Sequence, residues 1–317
     1  MKAAILDGHV DPRDNRSSMV EQKLSFSAAI ETRYPGLVEE VRRIIVDSER
    51  RYEGSSGETE SFLWEHSLHV ASLAYQLAVA EDRDPLTPAI AALFHDAGKF
   101  DQGQYHGDRE PEEEKAARIA EEVLRSHKMK PASVRQVVSG LRALYLEGAG
   151  KNAVARILHD ADFLSKFGAL GVAGFFIKSA LRGKTLSSAV MGSLSKELTY
   201  AACLPLNMHT TAGRRLAARK AAGSMKFFSS LLDELREAGI ANLRVRKLRV
   251  PGPDQEARWL VVRIVGPVDC TRCGGEWGMD WTIEEGIKCR RLILESSCGN
   301  CGYSAENSFC LPEVTGG

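Results

Sequence analysis

The stretch AALFHDAGK, residues 91–99, places an adjacent histidine and aspartate, His95 and Asp96, at the end of an apolar helical run. Thr87 can cap that helix, and Pro88 suits its first helical position, where the N–H that proline lacks has no intrahelical use. Ile90, Leu93 and Phe94 supply an apolar face, and Gly98 breaks the run. His95 and Asp96 therefore sit in its last turn, among side chains that seek a core. A charge or imidazole buried there needs a partner, because burial alone costs several kcal/mol.

Two further segments repeat the anomaly. Upstream, Thr59 or Ser61 can cap a helix with an apolar face of Leu63, Val70, Leu73 and Leu77, and His66 falls on that face. Downstream, a helix around 151–167 carries Val154, Leu158 and Asp162 at i, i+4 and i+8, so Asp162 points where the aliphatics point. A metal would partner all of them. Two imidazoles and two carboxylates form a mixed nitrogen and oxygen set that suits one divalent cation: Mn, Fe, Co, Ni, Mg or Zn.

The surrounding segments also read as helices. One runs from Pro35 or Gly36 to about Tyr52, with Leu37, Val41, Ile44 and Ile45 at helical spacing, and EGSSGE at 53–58 ends it. Another runs from Glu112 to about Leu124 with acids in its first turn, and 209–238 is a third. The run Gly168–Ile177, GALGVAGFFI, stops at Lys178, about half the length a bilayer-spanning helix needs, and is expected to be a buried core helix.

His66, then HDAGK 29 positions on, then DADFL with Asp162 at 66 positions beyond Asp96, resembles the signature of the HD-domain metal-dependent phosphohydrolases. HSLHVASLAYQLA, AALFHDAGK, EEEKAARIAEEVL and ARILHDADFLSKFGALGV resemble, in order, the successive helices of that family over roughly residues 60–180. TAGRRLAARKAAGSMKFFSSLLDEL is similar to the last helix of a bacterial subgroup, some of whose members hydrolyse nucleotides. The resemblance implies an all-helical HD domain in which His66, His95, Asp96 and Asp162 hold one divalent metal. Asp96 would also orient the attacking water, and Lys99 would meet a substrate phosphate. The implied activity is hydrolysis of a phosphate ester of a nucleotide or other small phosphorylated metabolite.

Some positions depart from the family. Members with two metals use further histidines between the His-Asp pair and the final aspartate; here the candidates are His106, His127 and His159, and Glu112, Glu113 and Glu114 stand where a histidine is often found. One metal is therefore expected. Relatives that cleave nucleoside monophosphates carry an acid where this chain has Lys99. Asp160 competes with Asp162 as ligand, and the family's AD.L motif favours Asp162. His69, His159 and His209 read as ordinary surface or supporting histidines.

After Gly239 the pattern changes to alternating, β-branched segments, LRVRKLRV, RWLVVRIV and RRLILE, with Pro-Gly-Pro at 251–253. Six of the seven cysteines fall in the last 48 residues. Cys270-x2-Cys273 and Cys298-x2-Cys301 have the spacing of a zinc ribbon, in which two knuckles complete one tetrahedral four-cysteine site, and CGNCGY resembles the second knuckle of such ribbons. A domain of this size has a small core, so a structural zinc explains how it folds. Cys289 and Cys310 read as buried or incidental, although either could replace a knuckle member, and Cys203 reads as a core thiol. The expected organisation is mainly α: a lead-in at 1–35, the helical HD domain at 36–239, and a small β-rich zinc-ribbon domain at 240–317.

The 317 residues (34.7 kDa) carry 42 Lys+Arg against 42 Asp+Glu with 44% hydrophobic residues, which describes a globular chain and excludes a disordered or fibrous one. Zero net charge gives no whole-molecule reason to expect nucleic acid or membrane, so only local patches could do so. Residues 211–250 hold ten bases and three acids, a balance of +7 that could meet phosphates, or could simply be a solvated face. The expected partners are a small phosphorylated substrate and, through the ribbon, nucleic acid or protein, but no membrane. The alternative function is a non-catalytic regulatory protein that binds through the ribbon and Arg244, Arg246 and Lys247. MKAAILDGHVDPRDN has no signal-peptide pattern, so a cytoplasmic protein is expected.

Overall fold

The computed structural model describes residues 26–53, 61–100, 110–144, 149–186, 194, 197–198, 201, 205, 208–239, 245–251, 258–264, 270, 273–285 and 290–310. Helices dominate: α1 (Leu37–Glu53), α2 (Phe62–Ala80), α3 (Leu86–Phe94), α4 (Glu112–Ser126), α5 (Pro131–Ala143), α6 (Ala153–Ser165), α7 (Gly168–Leu181) and α8 (Thr211–Glu237). The strands β1 (Val245–Pro251), β2 (Arg258–Ile264), β3 (Trp277–Glu285), β4 (Arg290–Cys298) and β5 (Ser304–Cys310) follow. Among the described residues no single helix is long and apolar enough to cross a membrane.

The chain divides into two compact units, Met1–Gln76 with Asp84–Leu141, and Leu77–Arg83 with Arg142–Gly317. In the first, Phe26 and Ile30 of a helical segment at 26–33 are buried, as are Leu37, Val41 and Ile45 of α1 and Ile90, Leu93 and Phe94 of α3. α3 packs on α1 and α4, and α4 presents the small side chains Ala116, Ala117 and Ala120, which permit a close approach.

The start of α2 is tied down by two side chains. Ser61 Oγ accepts from Trp64 N at 3.0 Å, while the carboxylate of buried Glu49 on α1 accepts from Ser61 Oγ and from Leu63 N. These bonds satisfy helix-end donors that would otherwise be orphaned. At α3 the expected Thr87 cap is not found. The helix begins at Leu86, and Asp84 accepts from Leu86 N at 3.2 Å and from Thr87 N at 3.3 Å. Thr87 is already inside the first turn, where its hydroxyl donates to Asp84 instead.

In the second unit α7 and α8 pack on α6 and on each other. Asn152 Oδ1 caps α6 by accepting from Val154 N and Ala155 N at 3.0 Å each, and Thr210 Oγ1 caps α8 by accepting from Gly213 N at 2.9 Å. β1 and β2 pair antiparallel, and β3-β4-β5 form an antiparallel sheet with Trp277 opposite Cys298. Val172, Leu194, Leu198, Phe228, Leu232 and Leu235 form one apolar cluster with Cys270 and Cys298. The expectation that 168–177 is a buried core helix is corrected: α7 buries Gly171, Val172 and Ser179 but leaves Leu170, Ile177 and Leu181 exposed.

Candidate metal centre

His95, Asp96 and Lys99 lie on tight turns that continue α3, in which Ala97 N donates to Phe94 O and Lys99 N to Asp96 O. Gly98 lets these turns press against the start of α4. A Cβ at Gly98 would stand 2.5 Å from the Glu112 carbonyl oxygen and 2.8 Å from Ala116 N, closer than any side chain can be accommodated. His66 projects from α2 just beyond its Ser61 and Glu49 cap.

The donor atoms converge within the first unit. His95 Nδ1 lies 2.7 Å from the Ala92 carbonyl oxygen, which can only accept, so in the neutral ring Nδ1 carries the proton and Nε2 presents a lone pair. That Nε2 is 3.3 Å from His66 Nε2, and Asp96 Oδ2 is 3.7 Å from both. Two nitrogens bound at about 2.1 Å on adjacent metal positions stand roughly 3.0–3.4 Å apart, so the imidazole pair fits a shared cation. Side-chain exposure rises from 1% at His95 through 11% at Asp96 to 20% at His66 and 23% at Lys99, a gradient from buried ligand to open rim. Lys99 Nζ donates to Asp96 Oδ2 at 2.9 Å.

In the second unit, Asp160 and Asp162 on α6 are both buried, but their surroundings differ. Asp160 accepts from His209 N and Thr210 N at 2.8 Å each, from Thr210 Oγ1 at 2.7 Å, and pairs with His159 Nδ1 at 3.2 Å. It is an anchor for the start of α8. Asp162 Oδ2 is met by Lys166 Nζ at 2.8 Å. Sequence reasoning missed Lys166, although a lysine four positions after an aspartate on a helix is the spacing that pairs. His127 is held by Glu40 Oε2 at 2.7 Å, and His159 stacks on Phe163. His106 lies outside the described residues.

Residues 63–166 match the HD domain. This span encloses His66, His95, Asp96, Lys99 and Asp162. The HD domain implies a divalent metal, with His66, His95 and Asp162 as candidate ligands. Among solved structures, the selenomethionine form of Bacillus subtilis YpgQ is 19% identical and covers 67% of this chain and 95% of its own at a TM-score of 0.48. B. subtilis YpgQ in complex with ADP is 20% identical, with 62% and 96% covered, at 0.45. An HD-superfamily hydrolase from Bacillus thuringiensis is 18% identical, with 62% and 97% covered, at 0.43. No curated protein matches the chain.

The second unit also gathers four cysteines. One sulfur from each of Cys270, Cys273, Cys298 and Cys301 lies within 4.8 Å of the others, with Cys270–Cys301 and Cys273–Cys298 at 3.6 Å. Tetrahedral thiolates at about 2.3 Å from a metal stand roughly 3.8 Å apart, so the cluster has the dimensions of a metal site. The two knuckles are alike: Gly274 N donates to Cys270 O and Gly302 N to Cys298 O, with both glycines at φ +69°. That left-handed backbone is where glycine is needed. Backbone N–H groups of Cys301 and Asn300 lower the Cys298 thiol to about 7, whereas burial and the neighbouring thiols push Cys301 up to about 12. The side chain of Cys310 and all of Cys203 and Cys289 lie outside what is described.

Proposed function

We propose that the chain is a divalent-metal-dependent phosphohydrolase that cleaves a phosphate ester of a nucleotide or other small phosphorylated metabolite. The observation that carries this reading is the convergence of His66 Nε2, His95 Nε2 and Asp96 Oδ2 inside the HD-domain match, with Lys99 on the aspartate. His66, His95, Asp96 and Asp162 would hold one metal, and Cys270, Cys273, Cys298 and Cys301 one structural zinc in a ribbon. The divalent ion, when bound, supplies charge that acidifies a water and polarises the phosphoryl oxygen. The chain's own residues do the rest. The His95 Nδ1 bond to Ala92 O keeps the imidazole turned toward His66. Asp96 orients the attacking water and accepts its proton. Lys99 donates to the substrate's phosphate oxygens, which takes its ammonium from Asp96 as substrate enters.

The test is metal content and Mn²⁺-stimulated phosphatase activity on nucleotides and sugar phosphates, in wild type, Asp96→Ala and His66→Ala. Loss of activity in both variants with an intact circular dichroism spectrum is expected. Activity that persists in both overturns the site.

A further inference from the structure

Among its described residues the first unit leaves one large apolar or aromatic side chain exposed, Tyr52 at 46%, and that side chain lies beside the histidine-aspartate turn. Tyr52 stands in the last turn of α1 and stacks on Phe100, the residue after Lys99, with ring centroids 4.5 Å apart and planes at 16°. The other pairs of Phe and Tyr rings among the described residues meet at 47° or more. The difference matters chemically, because a near-parallel stack has an outer face on which a third planar ring can continue the series.

Two anchors fix where that face stands. One turn earlier on α1, the buried Glu49 accepts from Ser61 Oγ and Leu63 N at the start of α2, the helix that carries His66. Phe100 follows Lys99, so their Cα atoms are about 3.8 Å apart, and Lys99 Nζ is 2.9 Å from Asp96 Oδ2. The end of α1 is thus held against both elements that supply the convergent donors. Exposure rises outward in the same order, from the buried His95 through Asp96, His66 and Lys99 to Tyr52 on the rim. A phosphate ester bound at Lys99 must carry its leaving group toward that rim, since His95 and Asp96 close the inner side. Tyr52 meets the turn through Phe100 rather than through Lys99, so a ring attached directly to the ester oxygen falls short of it. A nucleobase, set off from its phosphate by a sugar, has both the length and the π-face.

We infer that Tyr52, backed by Phe100, is the platform for the base of a nucleotide whose phosphate lies at Lys99. The inference deepens the phosphohydrolase reading, on which it rests for the position of the phosphate, and selects nucleotides over sugar phosphates.

The experiment is calorimetric titration of the full chain, without added Mn²⁺, with adenosine monophosphate and with ribose 5-phosphate, which differ by the base alone. Wild type should bind the nucleotide roughly 5- to 150-fold more tightly, the range that one base–aromatic stack produces. Tyr52→Ala should abolish that preference while leaving ribose 5-phosphate within about twofold. Tyr52→Leu, which keeps apolar packing on Phe100 but has no π-face, should lose it too, and Tyr52→Phe should keep it; circular dichroism checks that each variant folds. Equal affinities in wild type, or no binding of the nucleotide, overturn the inference, as does a preference that persists in both Tyr52→Ala and Tyr52→Leu. An equal loss for both ligands overturns it as well, because that is what a merely structural tyrosine would produce. So does a loss for p-nitrophenyl phosphate as large as that for the nucleotide, which would assign the platform to a ring borne on the ester oxygen. The titration needs no turnover, so the expected preference in a chain that cleaves nothing would support the platform and overturn the phosphohydrolase reading alone.

Discussion

Gly98→Ala tests how the histidine-aspartate turn is positioned. The added Cβ would stand 2.5 Å from Glu112 O, 2.7 Å from Lys115 Cβ and 2.8 Å from Ala116 N. Two of those three atoms are backbone, so relief requires α4 or the turn itself to move, rather than a side chain to swing aside. Overpacking that shifts backbone costs about 3 kcal/mol, the upper part of its usual range. At about 2–4 °C per kcal/mol for a unit of this size, Tm should fall by about 6–12 °C. A displaced turn carries His95 and Asp96 away from His66, so Mn²⁺ affinity should fall about 10- to 100-fold, as when a ligand's support is lost. Gly223→Ala is the control. It sits within α8 with nothing within 4 Å of its Cβ position, and alanine there should stabilise by about 0.5–1 kcal/mol. Thermal melts and calorimetric Mn²⁺ titrations read both effects. A Gly98→Ala protein that melts like wild type and binds Mn²⁺ equally well would refute the reasoning.

Asp160→Asn should destabilise by about 3 kcal/mol, because an amide cannot accept from all the donors that converge on the carboxylate, yet metal content should persist. Asp162→Asn should do the reverse, and loss of metal in both would merge the two roles. Burial holds the His209 pKa below its ordinary 6.5, helped by His159 and opposed by Asp160. The unfolded chain then binds more protons just below pH 6.5, so stability present above 6.5 is lost as pH falls toward the folded pKa. His209→Gln should flatten that decline in melts between pH 7.5 and 5.5, and an unchanged decline would count against it. Cys298→Ser, or a chelator acting on wild type, should remove zinc, lower Tm and raise hydrophobic-dye binding, since Cys270 and Cys298 pack among Val172, Phe228 and Leu232. Dye binding unmoved by zinc loss would separate the cysteine cluster from that core.

What the sequence revealed was local. HDAGK, the helical phase of His66 and Asp162, and the two Cys-x2-Cys knuckles are patterns of a few residues, and their chemistry is legible from type and spacing. Asp160 and Asp162 lie about 200° apart around α6, and both are buried because that helix is covered on more than one side, so burial does not tell them apart. What separates them is Asp160's bonds to His209 and Thr210, 49 and 50 positions away. The α3 cap failed for a smaller reason: Asp84 and Thr87 are both cap formers three residues apart, and with Asp84 accepting from Leu86 N and Thr87 N the helix starts at Leu86, two residues earlier than expected. The α7 expectation failed because hydropathy reports composition and not neighbours. Ten apolar residues read as core, yet the stripe through Leu170, Ile177 and Leu181 faces outward.

The charges of the proposed ligand set bear on what it would bind. Asp96 and Asp162 each keep an ammonium group on their own turn or helix end, Lys99 at 2.9 Å and Lys166 at 2.8 Å. Carboxylates buried to this degree are expensive without a cation, and the lysines supply one locally. With the histidines neutral, two aspartates and two lysines sum to zero. A divalent ion would then leave the set at +2 rather than merely neutralising it. A phosphate monoester carries about −1.5 to −2 at neutral pH and balances that charge, whereas a diester carries one negative charge and does not. Mn²⁺-loaded protein should therefore cleave p-nitrophenyl phosphate in preference to bis(p-nitrophenyl) phosphate. Lys166→Met should narrow the preference by removing one positive charge. Equal rates on the two esters in wild type would show that the lysines serve only to hold the aspartates.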